Sequence, residues 1–197
     1  MATFAGHFMD KEIIIAIALG IGLSASAGFR VFLPLFVAGL AARLGFLSLN
    51  DSFSWLASTP ALTALSAATI IEIIAYYVPF VDNLLDSIAM PLAIGAGTIL
   101  AASVLPVDNG FLKWLIAIVF GGGASATVQG ATTALRLTSS GTTGGLGNPV
   151  ISTGENAAAA GISILAIALP VLVVILVLLL LIFIIKKNRR RKKYKNK

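Results

Sequence analysis

The chain has 197 residues, 58% hydrophobic and only 11% charged; a soluble domain would be about a quarter charged, so composition points to the membrane. Nine of its fourteen Lys and Arg lie in Lys186–Lys197, and the remainder holds five basic against eight acidic residues, so the formal charge of +6 belongs to a tail and not to a basic stripe that binds nucleic acid. No cysteine and a single histidine, His7, are present, which excludes disulfides, thiolate chemistry and a His-rich metal cage.

Met1–Asp10 has no basic stretch, so a signal peptide is not expected. Six apolar runs follow, at about Ile13–Ala27, Phe29–Leu47, Pro60–Pro79, Ile88–Leu105, Leu112–Leu137 and Ala157–Ile185. Set against the roughly 20 residues that cross a bilayer, they predict an all-α, polytopic membrane helix bundle of six to seven segments, with helices broken at Gly and Pro. The connections are too short to fold independently, so residues 1–185 read as one transmembrane domain. Residues 186–197 read as a polybasic cytoplasmic tail that fixes orientation and attracts anionic lipids. The expected partners are the bilayer, those lipids and a second copy of the chain in a homodimer, with no nucleic acid.

The first and fifth runs are related. Residues 15–26 and 116–127 align without gaps and are identical at seven positions, among them Gly20/Gly121, Gly22/Gly123 and Ser24/Ser125. They suggest an internal repeat, with halves at 11–83 and 112–181. Gly-interrupted segments at matching places in two halves point to a transport site, which makes Ser24 and Ser125 candidate ligands. Close helix packing through small residues explains the same pattern.

Glu72 is flanked by isoleucines on both sides, and an ionised group in such a run is expensive unless it is paired or used. Tyr76 follows at i+4 on the same helical face. Asp82 and Asp86 are four apart, which aligns their carboxylates on one face with Asn83 beside them; they bind a cation or cap a helix. If a metal is held, Asp82, Asp86 and Glu72 are its expected ligands. Arg30 lies between two apolar runs and is the expected counter-charge, with Glu72 or Asp82 as its partner. The polar stretch Arg136–Pro149, flanked by Gln129 and Glu155, reads as a flexible loop that gates or lines a site.

These residues resemble a known family. Gly28–Pro34, Glu72–Pro79 with Asp82–Asp86, Gln129-Gly-Ala-Thr and Thr142–Pro149 are similar to the bacterial membrane-protein family catalogued as domain of unknown function 4126, over about residues 12–175. The resemblance implies a small integral protein of a bacterial inner membrane and supplies no activity; the basic tail lies outside it.

Taken together, these features predict a transporter or channel for an ion or small polar solute, with no cofactor and no catalytic residues. Glu72, Arg30, Asp82, Asp86, Asn83, Tyr76, Ser24, Ser125 and Gln129 are its candidate site. A membrane scaffold with a lipid- or partner-binding tail is the alternative, and a lipid-headgroup carrier a further one.

Overall fold

The structure, a computed structural model, describes residues 2–176 and residue 179. The end of the last expected segment and the basic tail lie outside the described residues. Helices account for every regular element described: α1 (Ala2–Ala27), α2 (Phe32–Arg43), a 3-10 helix at Asp51–Ala57, α3 (Thr59–Ala75), α4 (Pro79–Val104), α5 (Gly110–Ile116), a π-helical turn at Ala117–Gly122, α6 (Gly123–Thr143) and α7 (Asn148–Ala168). Residues 170–176 are helical again.

Local chemistry sets these boundaries. Ser58 Oγ accepts the Ala61 N–H at 3.3 Å and Pro60 occupies the first turn, which starts α3. Asn109 Oδ1 accepts the Leu112 N–H at 3.0 Å and starts α5. Gly144 (φ +62°) and Gly145 (φ +89°) take left-handed conformations that end α6. Leu169 leaves the helical region (φ −142°, ψ 66°), because Pro170 lacks an N–H and crowds the residue before it.

Three departures from expectation follow. The Gly-Ser segments do not break their helices: α1 runs through Gly20 and Gly22, and a π turn carries α5 into α6 without interruption. The polar stretch expected as a loop is helical up to Thr143, which leaves only a four-residue turn and places Arg136 inside α6. Finally, three helical stretches are long and apolar enough to cross a membrane: Leu84–Val104, Gly110–Thr143 and Asn148–Ala168. The 3-10 helix with α3, bent by 61°, makes a fourth. Glu12–Ala27, the apolar part of α1, and α2 are shorter apolar helices, and the chain turns at Gly28–Val31 between them.

The small residues serve the core. Ser24 Oγ donates to the Gly97 carbonyl at 2.6 Å; a Cβ on Gly97 would lie 2.5 Å from Ser125 Oγ, and one on Gly121 would lie 2.5 Å from the Gly97 carbonyl. The two similar segments therefore lie on α4 around Gly97, and both run antiparallel to it, hence parallel to each other. α7 returns along α1, with Ser163 Oγ donating to Ser26 Oγ at 2.9 Å and Ala166 against Gly22. Outward faces carry Ile70, Ile71, Ile74, Leu84, Ile118, Val119, Phe120, Ile164 and Leu172, all exposed. Apolar surface on that scale is what lipid covers, and this is an integral membrane protein.

Candidate functional site

Three short reversals lie at one end of the bundle: Gly28–Val31 between α1 and α2, Tyr76–Val78 between α3 and α4, and Gly144–Gly147 between α6 and α7. The first two sit deeper than the third. Arg30 reaches Glu155 and the Tyr76 carbonyl meets Ser152, so about 10 Å of helix separates Glu155 from the start of α7. This offset buries the reversals against α6 and α7 and brings ionisable side chains from five elements together.

Arg30 is 2% exposed, so it does not snorkel to an interface. Its Nη1 donates to Glu155 Oε2 at 2.8 Å and to the Phe29 carbonyl at 3.0 Å. Its Nε donates to Asn156 Oδ1 at 2.6 Å, and its Nη2 to the Ser152 carbonyl at 3.2 Å. Glu155 is therefore its salt-bridge partner, in place of the expected Glu72 or Asp82.

Arg136 holds the network from the other side. Its Nη1 donates to Asp82 Oδ1 at 2.5 Å, its Nε to Glu155 Oε1 at 3.1 Å, and its Nη2 to both Ser152 Oγ at 3.0 Å and Glu155 Oε2. Asp86 is farther out, with Oδ1 3.9 Å from Arg136 Nε. Asp82 Oδ2 accepts from Asn148 Nδ2 at 2.8 Å. The i, i+4 spacing thus does put both aspartates on one face, and that face meets an arginine. Both guanidiniums also stand over the Tyr76 ring, at 4.1 and 4.4 Å from its centroid, a cation–π arrangement strengthened by burial.

Glu72 has a different task. Its carboxylate accepts the backbone N–H groups of Val31 at 2.7 Å and Phe32 at 3.0 Å. These are orphan donors at the start of α2, and the negative charge suits a helix N-terminus. It also faces a cavity of about 250 Å³ between α3 and α4, lined mostly by apolar side chains.

Of the expected residues, Arg30, Asp82, Asp86 and Tyr76 meet in one network, with Glu72 adjoining it. Ser24 and Ser125 are buried in the packing seam at Gly97 and hydrogen-bond only backbone carbonyls there. Gln129 is buried on α6, its Nε2 donating to Thr133 Oγ1 at 3.3 Å. Asn83 is in α4, with its side chain outside the described residues. Among the described residues no group of three or more His, Cys, Asp or Glu side chains is arranged to hold a metal ion, so Asp82, Asp86 and Glu72 do not form the expected ligand set.

Ser152 and Asn156 were not expected at the site, and Arg136, Asn148 and Glu155 were expected only as parts or flanks of a gating loop. The signal was present: Asn148, Ser152 and Glu155 recur at helical spacing, and Arg136 is a basic residue within a long apolar run. Reading Arg136–Pro149 as a loop removed the helical face that would have joined them.

The network carries two arginines against Glu72, Asp82, Asp86 and Glu155, an excess of negative charge. Asp86 Oδ1 and Asn148 Oδ1 are buried and accept no hydrogen bond from the described residues. Chemically, the arrangement offers acceptor oxygens and surplus negative charge, which suit a cation or a proton.

No curated protein and no solved structure matches this chain. A family model does, over residues 17–190, farther into the basic region than the sequence motifs alone reached. The chain belongs to the family described as Domain of unknown function (DUF4126).

Proposed function

We propose that this protein is a small membrane transporter or channel for an ion or small polar solute, with the Arg30–Glu155–Arg136–Asp82 network and Asp86 as its selective element. The observation that carries the reading is Asp86: a carboxylate beside an acid-rich buried network, with one oxygen free of hydrogen bonds. Ionisable groups inside membrane proteins pair with each other and mark ion and proton pathways.

The distribution of basic residues supports an orientation. Lys11 at the start of the apolar part of α1, Arg43 at the end of α2 and Lys113 in α5 all belong to the end opposite the network. Short loops rich in Lys and Arg stay in the cytoplasm, so that end is cytoplasmic. The network then lies on the outer side, beneath the hydroxyl-rich last turns of α6. Trp114 is exposed near the opposite end, and the 22 residues from it to Arg136 cover roughly 33 Å of helix. That is about one hydrocarbon thickness, so the network guards one mouth of the protein and does not sit at the midplane. A bacterial inner membrane fits this orientation.

Because the chain has no native cysteine, single cysteines test the orientation cleanly. In intact cells, Gly141→Cys should react with a membrane-impermeant maleimide and Asp108→Cys only after lysis; the reverse pattern overturns it. The transport reading is tested by flux of labelled alkali cations and of protons into proteoliposomes.

A second reading has its own support. Both arginines and Glu72 are held by several fixed hydrogen bonds each, as in a network that only holds helices together. A scaffold of that kind predicts no flux and no dependence on any small ligand.

A further inference from the structure

α3 packs on α2 and diverges from α4, and the gap between α3 and α4 is the cavity of about 250 Å³ at Glu72. Its wall is formed by Phe32, Ala68, Ile71, Ile88, Ala89 and Leu92. Ile71, Ile88 and Leu92 are exposed on the outer face of the bundle, so the cavity opens sideways toward lipid. Among the described residues, Glu72 and Tyr76 bring the only polar side chains to it. A ligand entering here therefore travels through the hydrocarbon and meets one carboxylate at the end.

The sign of that ligand's charge follows from what surrounds Glu72. The carboxylate already receives the Val31 and Phe32 N–H groups, which keep it in place without filling all its acceptor directions. Behind it, Asp82, Asp86 and Glu155 outnumber Arg30 and Arg136, and both arginines are engaged with Glu155. An anion would face uncompensated repulsion; a neutral alkyl chain would leave the acidic floor unused. A pocket with apolar walls and a few placed polar groups is the usual form of a small-molecule site.

We propose that the α3–α4 cavity binds a small organic monocation with an apolar body, its charge against Glu72 and its body between Ile71, Ile88 and Leu92. This names a substrate class for the transport reading and rests on it for its role, while the binding itself is separately measurable.

The test is equilibrium binding to the full chain in lipid nanodiscs, with three probes: benzyltrimethylammonium, its uncharged isostere neopentylbenzene, and benzenesulfonate. The cation should bind wild type at least about tenfold more tightly than either control, the scale of one charge interaction near 1.4 kcal/mol. Glu72→Gln should remove that preference. Since Glu72 also supports α2, Leu92→Trp provides a second variant, which fills the cavity from its exposed rim and leaves the Glu72 hydrogen bonds intact; it should abolish binding without lowering the melting temperature. Equal binding of neopentylbenzene would overturn the proposal in favour of a lipid-chain groove. Cation binding unchanged in Leu92→Trp would overturn it as well. If the cation does not bind while alkali-cation or proton flux is present, this inference fails and the transport reading stands. Binding with no flux of any ion reverses that outcome.

Discussion

Arg30 and Arg136 share one acceptor, the Oε2 oxygen of Glu155. Arg30 is 125 positions from Glu155 in the chain, whereas Arg136 is 19, so a single carboxylate ties the first reversal of the chain to its last hairpin. Two guanidiniums converging on one carboxylate repel each other; Asp82, paired with Arg136, and the Tyr76 ring, against both, offset that repulsion.

Removing the shared carboxylate should therefore be costly. Glu155→Ala leaves two buried guanidiniums without their common partner, and breaking a buried pair costs about 3–5 kcal/mol. A large drop in melting temperature in detergent is expected. Glu155→Asp, which keeps the charge, should fall between the alanine variant and wild type.

Arg136→Lys should behave as a disruptive change. Arg136 uses all three guanidinium nitrogens, toward Asp82, Glu155 and Ser152, whereas an ammonium is a point charge without that planar fork. With at least one buried acceptor left unmatched, a loss of about 1–3 kcal/mol is expected. Thermal melting alongside Lys113→Arg, an outlying basic site in α5, checks it.

The helix seam gives a prediction independent of charge. Gly97 and Gly95 are two residues apart and lie on nearly opposite sides of α4; a Cβ on Gly97 meets Ser125 Oγ at 2.5 Å and the Gly121 carbonyl at 2.8 Å, while one on Gly95 meets nothing within 4 Å. Gly97→Ala should push α4 from α6 and destabilise by about 1–3 kcal/mol through overpacking. Gly95→Ala should be neutral or stabilise by up to about 1 kcal/mol through helix propensity. Comparing the two melting temperatures decides it.

Glu72→Ala should loosen the start of α2, because the Val31 and Phe32 N–H groups lose their acceptor. Unsatisfied buried donors cost about 1–3 kcal/mol. Hydrogen exchange at those two amides should accelerate, with amides in the α4 core unchanged; equal acceleration across α4 would mean that Glu72 supports the whole bundle.

Much of this was legible in the sequence, and the failures have physical causes. Apolar runs marked the helical membrane bundle, and Asp82 and Asp86 were correctly placed on one face by their spacing. Glycine misled in two ways. Gly20, Gly22 and Gly121–Gly123 read as helix breaks, but close packing of Gly20 and Gly121 on Ala101, of Gly22 on Ala166 and Val173, and of Gly122 on Thr98 rewards glycine inside an unbroken helix. The Ser/Thr/Gly composition of residues 138–147 reads as a loop, although Thr138, Thr142 and Thr143 fold their hydroxyls back onto helix carbonyls, which satisfies them locally. Partner choice was not legible at all: whether Arg30 meets Glu72 or Glu155 depends on the depth at which the reversals stack.

Asp86 offers the most direct test of the central claim, because it belongs to the network but contributes little to its hydrogen bonding. In proteoliposomes under an imposed gradient, wild type should carry a cation or proton flux above that of empty liposomes. Asp86→Asn should abolish most of that flux while melting within a few degrees of wild type. Flux that persists unchanged in Asp86→Asn, or wild-type flux no greater than that of empty liposomes, would contradict the account and leave the network as a structural clasp.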